Sequence, residues 1–123
     1  AAQREAQAAA ERERVAREQA MQRQLQSLAQ AAGVKDVPSL LALTEAKWDN
    51  KKLGPGHGEA IAHLIAHGVL EDLNLYNTGQ NGNSLRALAE GLKAPTSRVR
   101  ILNLGNNQIA DLSPLAAGLA QAL

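Results

Sequence analysis

The sequence predicts an α/β solenoid in which short parallel strands alternate with helices, preceded by a long N-terminal α-helix. Three observations carry this prediction. Residues 1–32 are dominated by Ala, Gln, Glu and Arg and contain no Gly or Pro, a composition of high summed helix propensity. The segment Leu70-Glu71-Asp72-Leu73-Asn74-Leu75-Tyr76-Asn77-Thr78 aligns without gaps on Val99-Arg100-Ile101-Leu102-Asn103-Leu104-Gly105-Asn106-Asn107, 29 residues further on. Repetition at that period marks supersecondary units that stack on one another. Finally, apolar patterns of helical period follow each copy, over 84–93 and 112–123, and a further one covers 59–67.

Taken in order, the first element is a helix with two different thirds. Arg4, Arg12, Arg14 and Arg17 alternate with Glu5, Glu11, Glu13 and Glu18, a pattern suited to a solvated helix braced by pairs three or four residues apart. Only Met21, Leu25, Leu28 and Ala32 form an apolar stripe, so the last third packs and the rest projects. Gly33 ends the helix, and Asp36 with Pro38 starts a short turn or helix through Leu40 and Leu41. This divides the chain into a helix over 1–33, a linker and N-terminal cap over 34–42, and repeats over 43–123. The first repeat is fainter: Leu43, Ala46, Trp48, Asn50 and Leu53 take the places of Val99, Leu102, Leu104, Asn106 and Ile109.

Composition limits what these elements can do. Hydrophobic residues make up 45% of the 123, yet Trp48 and Tyr76 are the only aromatic ones, so the core must be aliphatic. A formal charge of +1 gives no electrostatic footprint for nucleic acid or an anionic membrane. Absence of cysteine excludes disulfides, thiol nucleophiles and Cys-based zinc sites, and favours a reducing, cytoplasmic setting. No stretch approaches the roughly 20 apolar residues of a bilayer span.

Both well-matched copies read apolar-x-x-Leu-Asn-Leu-x-Asn, and Ala87-Leu88-Ala89-Glu90-Gly91-Leu92 follows the first of them. Residues 40–123 thereby resemble the leucine-rich repeats of the ribonuclease-inhibitor-like class, about two and a half of them, as a partial segment of a longer array. Asn107-Gln108-Ile109-Ala110-Asp111-Leu112-Ser113-Pro114-Leu115 is closer to a shorter repeat class. The resemblance implies that Asn107 bonds free backbone groups in the turn, with Thr78 and Lys51 as weaker counterparts. It also implies a protein–protein interaction module, a scaffold or structural subunit of an intracellular assembly rather than an enzyme, with no cofactor. Regulation of a small GTPase or of actin and the cytoskeleton is the alternative that the family implies.

Strand alternation places Leu73 and Leu75, or Leu102 and Leu104, on one face and leaves the other for a partner. That second face carries three columns: Glu45, Asp72 and Ile101; Lys47, Asn74 and Asn103; Asp49, Tyr76 and Gly105. Lys47, Asp49, Asp72, Asn74, Tyr76, Ile101 and Asn103 are the candidate partner-binding residues, with Tyr76 as anchor. Leu115, Leu119 and Leu123 leave an apolar C-terminal end, which further repeats or a partner would cover, and the N-terminal helix offers a second contact with other subunits.

Other motifs are weaker. Glu59, His63 and His67 fall on one helical face near His57, a ligand-like spacing, but Ile61, Leu64 and Ile65 turn that face to solvent without a second shell, and no metal site is assigned. Gly54-Pro55-Gly56-His57-Gly58 before a helix lacks the Lys-Ser or Lys-Thr of a phosphate loop. Ser84 and Ser113 stand at helix starts, where capping accounts for them.

Overall fold

The computed structural model describes residues 2–109. Their order is α1 (Ala2–Ala32), α2 (Val37–Leu41), β1 (Glu45–Lys47), a 3-10 turn (Pro55–His57), α3 (Gly58–Ala66), β2 (Asp72–Asn74), α4 (Gly82–Lys93) and β3 (Ile101–Asn103). The result is a mixed α/β structure with a long N-terminal helix and a small parallel sheet ordered β1-β2-β3. The helical pattern over 112–123, with Leu115, Leu119 and Leu123, lies outside the described residues.

Helix α1 ends as its sequence dictates. Gly33 adopts φ 76°, the Val34 N–H donates to the carbonyl of Ala29 at 2.8 Å and the Gly33 N–H to that of Gln30 at 3.2 Å, which satisfies carbonyls otherwise left open at a helix end. No basic residue lies in its last turn; instead Lys51 Nζ lies 3.9 Å from where a Gly33 side chain would begin, a cation at the negative end of the helix dipole. Leu25, Leu28, Ala29 and Ala32 are buried, with Met21 packed at the edge, whereas residues 2–19 are exposed along their length. There Arg14 bonds Glu11 and Glu18, and both carboxylates raise its pKa, the Glu11 hydrogen bond most; exposed pairs of this kind add little stability.

Asp36 caps α2 by accepting the Ser39 N–H at 2.9 Å. Ser39, through its side chain first and its backbone N–H second, holds the Asp36 carboxyl below its ordinary pKa. Helix α4 begins at Gly82, two residues before the expected start, because Asn81 rather than Ser84 is its N-cap. Ser84 is the reciprocal member of the capping box: Asn81 Oδ1 accepts the Ser84 N–H at 3.1 Å and Ser84 Oγ accepts the Asn81 N–H at 3.0 Å.

Strand register follows the repeat. Glu45, Asp72 and Ile101 pair laterally, then Ala46, Leu73 and Leu102, then Lys47, Asn74 and Asn103. The first repeat is two residues shorter than the second, since Glu45 meets Asp72 and Asp72 meets Ile101. Ala46, Leu73 and Leu75 point into one aliphatic core with Ile61, Leu64, Ile65, Leu88 and Leu92, and Leu25, Leu28, Val37, Leu40 and Trp48 close its N-terminal end. Helices α3 and α4 approach closely at two glycines. A Cβ on Gly58 would meet Ser84 Cα at 2.9 Å, and one on Gly91 the Ala62 carbonyl oxygen at 2.7 Å, so both positions exclude larger residues.

Leu73 is fully buried while Leu102 is only partly so, although the repeat alignment treats them alike. Leu73→Ala is therefore expected to cost about 2–5 kcal/mol, and Leu102→Ala clearly less; urea unfolding of the two variants measures the difference. Removing residues 1–20 takes away little buried apolar surface, and the melting temperature of the remainder is expected to change by no more than about 2 °C, as followed by circular dichroism at 222 nm.

Candidate partner-binding face

The exposed face of the sheet is built by turn chemistry at its end. Four residues after each central strand position stand Asn50, Asn77 and Asn106, all in the left-handed region at φ 64°, 53° and 55°. Asparagine tolerates that conformation far better than branched residues do. The backbone ladder continues into this turn, with N–H donation from Trp48 to Asn74 (3.1 Å), Asn50 to Tyr76 (2.8 Å), Leu75 to Asn103 (2.8 Å) and Asn77 to Gly105 (2.9 Å). The third column, Asp49, Tyr76 and Gly105, is thereby held level although it lies beyond the strands.

Asn107 ties the last two turns together. Its Oδ1 accepts the N–H groups of Thr78 and Gln80, both at 3.0 Å. Its Nδ2 lies 2.9 Å from the carbonyls of Leu75 and Leu104 and 3.2 Å from that of Gly105. Thr78 does less, donating its hydroxyl to Leu75 within its own turn at 2.8 Å. Lys51, the third member of this series, is the residue that reaches the end of α1.

Of the candidate residues, Lys47, Asp49, Tyr76, Ile101 and Asn103 are exposed and Asp72 and Asn74 are half-buried. The two large apolar members stand out, Tyr76 at 40% and Ile101 at 55% exposure. Lys47 Nζ lies 3.6 Å from Glu45 Oε2. Asn74 and Asn103 differ from the sequence reading, which treats them as free partner contacts. Their Oδ1 atoms accept the N–H groups of Tyr76 at 3.0 Å and Gly105 at 2.9 Å, so the carbonyl half of each amide serves the turn.

Gly105 has a role that spacing alone does not disclose. A Cβ there would come within 2.9 Å of Tyr76 Cδ2 and 3.2 Å of Cε2. The aromatic edge lies over the glycine of the neighbouring repeat, and the missing side chain is what makes room for it.

The outer helical surface is organised differently. Glu59 and His63 on α3 and His67 at its C-cap are exposed, and no group of three His, Cys, Asp or Glu side chains fit to hold a metal occurs among the described residues. His57 is engaged elsewhere: its Nδ1 lies 2.5 Å from the Leu53 carbonyl and its Nε2 3.0 Å from Ser27 Oγ. This bond from the 3-10 turn to α1 spans 30 residues, and nothing in the local sequence signals it. Among the described residues, no helix is long and apolar enough to cross a membrane.

The chain matches no protein-family model, no curated protein and no solved structure.

Asn107→Ala leaves the Thr78 and Gln80 N–H groups, both on fully buried residues, without their acceptor. The expected cost is about 1–3 kcal/mol, with faster amide exchange at 78 and 80 than at helix positions such as 64 and 88.

Proposed function

We propose that the chain is a segment of a leucine-rich-repeat solenoid that acts as a protein–protein interaction scaffold in a larger intracellular assembly, binding its partner on the exposed face of the sheet. The observation that carries this reading is the pair Tyr76 and Ile101, large and exposed on a face whose backbone is already tied down. A rigid presentation of aromatic and aliphatic side chains suits an interface, because little ordering entropy remains to be lost on binding. The two strand-helix units, their shared aliphatic core and the side-chain ties between turns support the solenoid reading. The cysteine-free composition suits a reducing compartment. Neither a catalytic step nor a cofactor enters this reading.

A photo-crosslinking residue placed at 76 or 101 is expected to capture one specific protein from a cell extract, and the same residue at 63 or 67 is not. Once that protein is identified, Tyr76→Ala with Ile101→Ser should weaken binding by roughly tenfold or more, while His63→Ala with His67→Ala leaves it unchanged. Ile101 is a better second site than Asn103, whose loss also disturbs the turn at Gly105. The opposite ranking would move the interface to the outer helices.

A further inference from the structure

The same face carries a second level of pattern, in the charges beside its apolar side chains. Asp72 stands next to Ile101 in register, and Asp49 stands in the column of Tyr76, whose carbonyl accepts the Asn50 N–H. Among the described residues neither Asp49 nor Asp72 has an ionic partner: Lys47 is turned to Glu45 and Arg100 to Glu71, both at 3.6 Å, and Lys51 reaches the end of α1. An unpaired carboxylate beside an exposed apolar side chain thus occurs twice, four positions apart in register and one strand apart across the sheet.

We infer that the partner presents an extended basic segment to this face, with two lysine or arginine side chains four residues apart, one at Asp72 and Ile101 and the other at Asp49 and Tyr76. This rests on the reading of the sheet face as the interface. A long cationic side chain joins an apolar stem to a charged end, and each pair offers the complement of both parts. At the second position the ring of Tyr76, seated by one edge on Gly105, adds attraction for a cation. In an extended chain, side chains four residues apart share one face, as the four-position offset between the pairs requires. Between them the amide nitrogens of Asn74 and Asn103, whose carbonyl oxygens are occupied, remain to donate to carbonyls of the entering segment. Free carboxylates in this arrangement also repel an acidic partner, which selects as well as attracts.

The test uses three capped nonapeptides in a Gly–Ser background, with arginine, citrulline or glutamate at positions three and seven, titrated into the full chain and followed by amide chemical shifts. The arginine peptide is expected to shift amides at 72–76 and 101–105, to bind about fivefold more tightly than its citrulline twin, and to lose that advantage in Asp49→Asn with Asp72→Asn. The glutamate peptide is expected to produce no shifts there. Equal affinity for arginine and citrulline peptides, or shifts confined to the outer faces of α3 and α4, would overturn the inference. The two readings separate through the partner captured by crosslinking. Capture from 76 and 101 without a charge preference removes only the basic segment, whereas capture from 63 and 67 removes the binding face and the segment with it.

Discussion

Everything on the exposed face depends on where the chain is forced to leave the sheet. A parallel strand of three residues makes too few hydrogen bonds to fix its own register. The constraint comes from the turn that follows, where Asn50, Asn77 and Asn106 enter the left-handed region at the same distance from Ala46, Leu73 and Leu102. Because the backbone bends at equivalent points, the ladder extends beyond the strands to the level of Asp49, Tyr76 and Gly105. Asn107 then bonds across to the preceding turn, so a slip by one residue would leave its amide and two buried N–H groups unsatisfied. Register in turn decides which side chains face the core, since a slip exchanges the two faces of every strand.

The first and last described units meet this constraint differently. At the first turn there is no preceding repeat to bond, and the equivalent position is not asparagine but Lys51, which serves the C-terminal end of α1. The helix occupies the place of a missing neighbour: its buried third covers the core, and His57 fastens it through Ser27. A repeat unit needs such a cover because its apolar face is only half satisfied by its own helix. Leu102 is partly buried and Leu73 completely; among the described residues β2 has a strand on either side and β3 has one.

Much of this was legible in the sequence because it is periodic. Aligning Leu70–Thr78 on Val99–Asn107 suffices to predict the lateral pairing of Leu73 with Leu102 and of Asn74 with Asn103, and the fainter first copy places Ala46 and Trp48 correctly. What periodicity cannot show is how equivalent positions differ, or contact between unlike ones. The seat of Tyr76 on Gly105 joins two residues that the alignment treats as equivalents, and the bond from His57 to Ser27 joins an irregular turn to a helix of another composition. Local competition escapes it as well. Asn81 caps α4 in place of Ser84 because its side chain accepts the Asn83 and Ser84 N–H groups and so sets the cap three residues earlier, and Asn74 and Asn103 look free in a strand pattern until their own turn claims one half of each amide. The resemblance to leucine-rich repeats implies the turn role of Asn107 but not that of the lysine at 51, which lies against the helix end.

These distinctions bear on which surface can act. The outer face of α3 has a histidine and glutamate spacing that looks chemical in one dimension, yet its side chains stand in solvent with nothing to hold them in one geometry. On the sheet face the situation is reversed. Its residues are widely separated in sequence, drawn from three strands and their turns, but the backbone beneath them is tied strand to strand and Tyr76 is further limited by Gly105. Fixed placement of side chains is what lets a small surface discriminate between partners, since each group is presented without first having to be ordered. Rigidity rather than residue type thus favours the sheet face over the residues that sequence spacing makes most conspicuous. On the proposed interface, two separated anchor points with the side-chain amides of Asn74 and Asn103 between them set the register of an entering segment by spacing as well as by charge.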